Sequence, residues 1–137
     1  MHIRFDKRVV LVTGAAQGIG QAIARGFQQA GALVYLADMD EPAVKEFARA
    51  KDMQAFVFDV GQRGQCHDCV QQIISQQGRL DIVVNAAGGV RGQVGGPLDQ
   101  VTPESWQALF AANVEGALWL SQAATASMQS NGFGRIV

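Results

Sequence analysis

The sequence predicts an α/β fold with a doubly wound parallel sheet, and three observations carry the prediction. Short apolar runs alternate with segments of helical period along the whole chain. The runs are apolar throughout rather than alternating with polar residues, the mark of strands buried on both faces. The first run leads through a glycine-rich turn, residues 14–20, directly into a helical pattern. Helices between such strands, joined by right-handed crossovers, cover both faces of a parallel sheet.

The first strand is predicted over 8–13, ending at the turn. A helix over 18–30 follows, with Ile19, Ile23 and Phe27 on one face, Ala22 and Gly26 beside them, and Gly31 at the C′ position. The second strand is 32–38. Asp40-Glu41-Pro42 opens the next helix, with proline in its first turn, and this helix runs to about residue 50. A third strand covers 55–60, a third helix 63–77 closed by Gly78, and a fourth strand 80–85. Thr102-Pro103-Glu104 caps a long helix reaching about residue 130, and Gly134-Arg135-Ile136-Val137 looks like the start of a fifth strand. The whole is a Rossmann-like arrangement in one unit, 1–137, read as truncated at the start of that strand.

Composition bounds the function classes. A hydrophobic fraction of 48% supports a packed core, and a charged fraction of 17% argues against disorder. With a net charge of -1 and no basic stripe, nucleic acid is not an expected partner. Residues 1–7 are too polar for a signal peptide, and no apolar run of about 18 residues could span a bilayer. A cytoplasmic location is therefore expected. Cys66-His67-Asp68-Cys69 is formally a C-x-x-C. There is no second cysteine pair, and the only other histidine is His2, so no metal set is expected. Cys66 shares a helical face with Val70, which favours ordinary reduced helix cysteines.

Four features fall at consistent places on this scheme. Thr13-Gly14-Ala15-Ala16-Gln17-Gly18-Ile19-Gly20 forms a strand-turn-helix corner. Its glycines let the backbone approach a pyrophosphate, and the helix start offers unpaired N–H groups and a positive dipole end. Asp38 lies at the end of the second strand, about twenty residues past the turn, where an acid accepts from ribose hydroxyls. A 2′-phosphate would meet a like charge there, and no Lys or Arg lies in the turn or directly after Asp38, so NAD is favoured over NADP. The plainer reading of Asp38 is a helix cap, a task open to Asp40 as well. Asp59-Val60 closes the third strand, where the carboxylate and the Val60 N–H could read an adenine edge; the plainer reading is a strand-end cap. Asn85-Ala86-Ala87-Gly88 follows the fourth strand with small residues against which a cofactor can lie, and the Asn85 amide can tie strand ends together. The loop 88–97, with five glycines, lies at the carboxyl edge of the sheet and reads equally as a flexible connection or part of a substrate mouth.

Together these residues, with Asn113-Val114 in the long helix, resemble the N-terminal part of the short-chain dehydrogenase/reductase family. The T-G-x-x-x-G-x-G spacing matches the single-domain type; the extended type has its second glycine where Gln17 stands. The resemblance implies that Gly14, Gln17, Gly18, Ile19 and Gly20 shape the pyrophosphate site, with Ile19 contributing a backbone contact. It implies that Asp38 holds the adenosine ribose, that Asp59 and Val60 hold adenine, and that Asn85, Ala86, Ala87 and Gly88 support the cofactor. Asn113 matches the family's catalytic Asn, which holds a water in a proton relay. Asparagine is also a poor mid-helix residue, which makes it notable in its own right.

The implied activity is NAD-dependent oxidation or reduction of a secondary alcohol or ketone. The family's Ser and Tyr-x-x-x-Lys are not in this sequence: its one tyrosine, Tyr35, has Met39 four residues on. The chain alone is therefore expected to bind NAD(H) without useful turnover, and a non-catalytic dinucleotide-binding or interaction fragment stays open as the alternative. In the family's strand order the fifth strand lies beside the fourth. The long helix is expected to expose Leu109, Leu118, Trp119 and Leu120, favouring a homo-oligomer.

Overall fold

The computed structural model describes residues 3–137, so His2 lies outside the described residues. Five parallel strands form one sheet: β1 (Val9–Thr13), β2 (Leu33–Asp38), β3 (Gln54–Val57), β4 (Ile82–Asn85) and β5 (Arg135–Ile136). Their order is β3-β2-β1-β4-β5. The chain winds outward from β1 to β3, then returns to place β4 on the other side of β1. That reversal opens a crevice beyond the carboxyl ends of β1 and β4, the usual ligand position in open α/β sheets.

The helices are α1 (Gly18–Gln29), α2 (Glu41–Lys51), α3 (Arg63–Gln77), α4 (Pro103–Phe110) and α5 (Gly116–Ser130). Alternate strand residues point to opposite faces and build separate cores. Val10, Val12, Val34, Leu36, Ile82 and Val84 meet Ala24 of α1 and Val44, Phe47 and Ala48 of α2. Val9, Leu11, Tyr35, Ala37 and Val83 meet Cys66, Cys69, Val70 and Ile73 of α3 and Leu120, Ala124 and Met128 of α5. Each fully buried Leu or Val contributes about 1.5–3 kcal/mol, so these two layers hold the strand ends in place. Asp40 caps α2 by accepting from the Ala43 N–H at 3.1 Å, and Thr102 caps α4 by accepting from the Ser105 N–H at 3.2 Å.

Several expectations are corrected by the packing. The third strand stops at Val57 rather than residue 60, because Asp59 turns back to accept from the Gly61 N–H at 2.9 Å. The fourth strand begins at Ile82 rather than Leu80. The first and second strands each start one residue later than predicted, at Val9 and Leu33. Ile19 is not on the core face of α1: it is 77% exposed, and the buried positions are Gly20 and Ala24, while Ala22 and Gly26 are exposed. The long helix is not uniform. A π turn, Ala111–Glu115, joins α4 to α5, and it shifts the register of the exposed face. Leu120 is consequently buried, Leu109 and Trp119 are half-buried, and the exposed apolar stripe is Trp106, Phe110, Val114 and Leu118.

Asp81 anchors the edge opposite the crevice. It is 0% exposed, yet its carboxylate accepts from the Val9 N–H at 2.9 Å, from Arg8 at 3.2 Å and from the Arg79 guanidinium. Its backbone also pairs with Val9 and Arg135. Asp81 thus ties β1, β4 and β5 together, its carboxylate holding the start of β1 and its backbone carbonyl holding Arg135 of β5. Burial would raise its carboxyl, but the Arg79, Val9 and Arg8 donors outweigh that and hold it below the usual range.

Candidate functional site

The site is built from four strand ends. β1 stops at Thr13 and the chain turns at Gly14, whose φ is +63°. A Cβ on Gly14 would stand 2.5 Å from the Ala86 carbonyl oxygen, so only glycine permits this turn to lie against the segment after β4. The Ala87 N–H donates to Thr13 Oγ1 at 3.2 Å and locks the two segments together. α1 then begins after Gln17, which is extended and makes no side-chain cap bond. The first-turn N–H groups of α1 therefore face the crevice without a side-chain acceptor, at the positive end of the helix dipole.

A cleft of about 500 Å³ opens here. It is lined by Gly14, Gln17, Gly18, Ile19 and Gly20 after β1, and by Asp38 at the end of β2. Asp59 and Val60 after β3, and Ala86, Ala87 and Gly88 after β4, also stand on its walls. Asn85 and Asn113 lie elsewhere. They line a neighbouring cavity of about 110 Å³ that shares Val60, Ala87 and Ala112 with the cleft.

Asp38 is half-buried, and each carboxylate oxygen holds a backbone donor: Ala16 N–H at 3.0 Å and Asp40 N–H at 3.0 Å. It thereby pins the glycine turn to β2, and Asp40, not Asp38, caps α2. Asp59 Oδ1 accepts from Gly61, so part of its role is local turn formation. Its own N–H donates to Gln65 Oε1 at 3.1 Å. Asn85 ties β4 to β5, donating from both its backbone N–H and its Nδ2 to the Val137 carbonyl at 2.7 and 3.2 Å. Among the described residues its buried Oδ1 has no donor.

Asn113 stands in the π turn, which explains an asparagine in a helical run. Its Oδ1 accepts from the Gly89 N–H at 2.9 Å, and its Nδ2 donates to the Gly89 and Leu109 carbonyls at 2.9 and 2.8 Å. Both amide hydrogens are used, leaving one Oδ1 lone pair open. A Cβ on Gly88 would come 2.6 Å from that Oδ1, so a larger residue at 88 would displace the clamp.

The sequence reading missed Arg91. It enters the cleft from the glycine-rich loop, with Nη2 donating to Asp59 Oδ2 at 2.5 Å and Nη1 to Met39 Sδ at 3.0 Å. Burial would raise the Asp59 carboxyl, but the Gly61 N–H and the Arg91 guanidinium together hold it below the usual range. The neighbours of Asp38 in the chain contain no cation, yet the fold brings one to the next residue, Met39. A lone arginine among five glycines was the available signal.

Two other groups stay outside the chemistry. Tyr35 is buried in β2, its hydroxyl donating to Gln76 at 3.1 Å and accepting from Gln77 at 2.7 Å. Cys66 and Cys69 are free, buried thiols that burial pushes up to about 11 and about 12, so both are protonated and inert at neutral pH. Among the described residues, no helix is long and apolar enough to cross a membrane.

Comparison with known proteins agrees with this geometry. The sequence matches the short chain dehydrogenase family model over residues 8–137. Sorbitol dehydrogenase of Cereibacter sphaeroides is 34% identical over 134 residues, covering 96% of this chain and 51% of that protein. The crystal structure of a gluconate 5-dehydrogenase from Burkholderia cenocepacia J2315, in complex with NADP and tartrate, aligns with a TM-score of 0.87 at 34% identity, covering 98% of this chain and 54% of that one. A metagenomic short-chain oxidoreductase solved with NADP aligns with a TM-score of 0.89 at 31% identity, covering 96% and 61%. The chain spans about half the length of the relatives it matches. With the match running through every strand and the whole glycine turn, the chain belongs to the short-chain dehydrogenase family.

Proposed function

We propose that this chain holds the nicotinamide dinucleotide of an oxidoreductase acting on a secondary alcohol or ketone, and that it takes NAD(H) in preference to NADP(H). The cleft fits such a group on two counts: Gly14 lets the turn after β1 lie directly against the backbone of Ala86 and Ala87, and the start of α1 has no side-chain cap. The α1 N–H groups oppose the pyrophosphate. Asp38 accepts from the adenosine ribose with the lone pairs left by Ala16 and Asp40, and Asp59 and Val60 meet adenine. Ala86, Ala87 and Gly88 give a surface without bulk on which the cofactor lies. Asn113 has one lone pair left for a relay water. The cofactor, when bound, supplies the hydride acceptor or donor.

Asp38 on the cleft wall is the observation that carries the NAD preference. Although two solved relatives hold NADP, a 2′-phosphate beside this carboxylate sets like charges together. At about 4 Å in a hydrated site each charge pair costs about 1 kcal/mol, so NAD should bind roughly tenfold tighter. Calorimetry with both cofactors tests this, and Asp38→Asn should narrow the gap while keeping an acceptor for Ala16. Equal or tighter NADP binding by the native chain would sink the preference.

A second reading, a binding unit without turnover of its own, draws support from Tyr35: this chain's one tyrosine is buried in β2, away from the cleft. NADH absorbance with secondary alcohols and ketones separates the readings. Clear turnover by this chain would exclude the second. A second copy of the chain is the proposed occupant of the Trp106–Leu118 stripe. A reducing, cytoplasmic location fits the free thiols, and cell fractionation checks it.

A further inference from the structure

Arg91 joins groups from different strand ends. Met39 follows β2 and Asp59 follows β3, and the guanidinium spans the gap between them. Asp59 already gives its other oxygen to the Gly61 N–H. In this state both oxygens of the carboxylate that faces the adenosine end are engaged. The pair is only partly hydrated, with side-chain exposures of 25% for Arg91 and 24% for Asp59. A pair so placed is worth more than one at the open surface.

The backbone of Arg91 is an independent observation. Its φ is +52°, a left-handed conformation that L side chains rarely adopt. Gly89 and Gly92, on either side, also have positive φ, at +130° and +76°. Gly89 is held by Asn113, and the Gln93 N–H donates to the Val90 carbonyl at 2.8 Å, so Arg91 sits at a turn that fixes its backbone and aims its side chain at Asp59. Such an element has an alternative state within reach: with the pair broken, the long arginine side chain rotates to solvent while the turn stays in place, and Asp59 is uncovered.

We propose that Arg91 is a latch over the adenine end of the cleft. Paired with Asp59 and resting on Met39, it closes the slot between β2 and β3. Adenosine enters only when the pair opens and the guanidinium swings away by rotation of the Arg91 side chain. This rests on the reading of the cleft as a dinucleotide site. The latched fraction of molecules does not bind, so apparent affinity falls by that fraction. A partly buried pair of this kind shifts the balance by about fivefold.

Adenosine itself is the probe, because it is neutral and the loss of the Arg91 charge does not alter its attraction to the site. Titration of the native chain and of Arg91→Ala and Arg91→Gln, followed by NMR, should show adenosine binding about fivefold tighter in both variants. Raising salt should tighten adenosine binding to the native chain, by screening the pair, and leave the variants unchanged. The salt series needs no substitution and stands even where a variant fails to fold. Unchanged or weaker adenosine binding in folded variants overturns the latch; weaker binding makes Arg91 a clamp stacked on the base. NAD binding by the native chain with no variant or salt effect removes the latch alone. Absence of NAD and adenosine binding in every form removes the cleft reading and the latch with it.

Discussion

Replacing Asn113 separates a structural clamp from a mere holder of water. Its side chain makes three hydrogen bonds to backbone, two to Gly89 and one to Leu109. A net hydrogen bond is worth about 0.5–1.5 kcal/mol, and Asn113 is exposed, so water can replace each lost partner and the low end applies. Asn113→Ala should therefore cost about 1.5 kcal/mol and lower Tm by roughly 5 °C. Asn113→Asp should cost more, about 3 kcal/mol at neutral pH, because a carboxylate oxygen then faces the Gly89 and Leu109 carbonyls in place of a donor. Urea unfolding followed by circular dichroism gives the ordering, and hydrogen exchange at the Gly89 amide reports the clamp directly. In both variants that amide should lose protection while the β1 amides keep theirs. If the Asp variant is as stable as the Ala variant, or Gly89 exchanges as fast in the native chain, the clamp is not holding the loop.

The remaining expectations concern the sheet edge and the helix surface. Asp81→Asn should destabilise by about 2 kcal/mol, less than a fully buried pair because Arg8 and Arg79 are each about a third exposed and rehydrate. The folded Asp81 carboxyl lies below its unfolded value, so its contribution is present above the unfolded pKa of about 3.9 and is lost as pH falls through the folded one. Urea midpoints across that acid range should fall steeply for the native chain and less for Asp81→Asn; parallel curves would remove Asp81 as the source. Sedimentation should show the native chain heavier than a monomer and Leu118→Arg shifted toward monomer, since Leu118 lies on the exposed stripe; a monomeric native chain would count against the stripe as an interface.

What the sequence determined is what short-range physics encodes. The apolar runs, the helical period between them and the glycine spacing from Gly14 to Gly20 mark strand, turn and helix without reference to distant residues. They put Asp38, Asp59 and Gly88 at strand ends, and in the structure those ends share one cleft. Where long-range contacts decide, the sequence was silent or misleading. Ile19 has the spacing of a core residue, but the turn at Gly14 rotates the first turn of α1 outward, and Ile19 borders the cleft instead. Asp81 interrupts an apolar run and looks like an outlier until the donors of Val9, Arg8 and Arg79 converge on it. Asn113 is a misfit in a regular helix and becomes a clamp because the π turn aims it at Gly89. Arg91 joins the cleft only because loop closure brings a residue 32 positions away to Asp59. Periodicity and spacing carry the first kind of information because each residue's preference depends on its neighbours in the chain. The second kind depends on which surfaces meet, and that is settled only when the sheet has assembled.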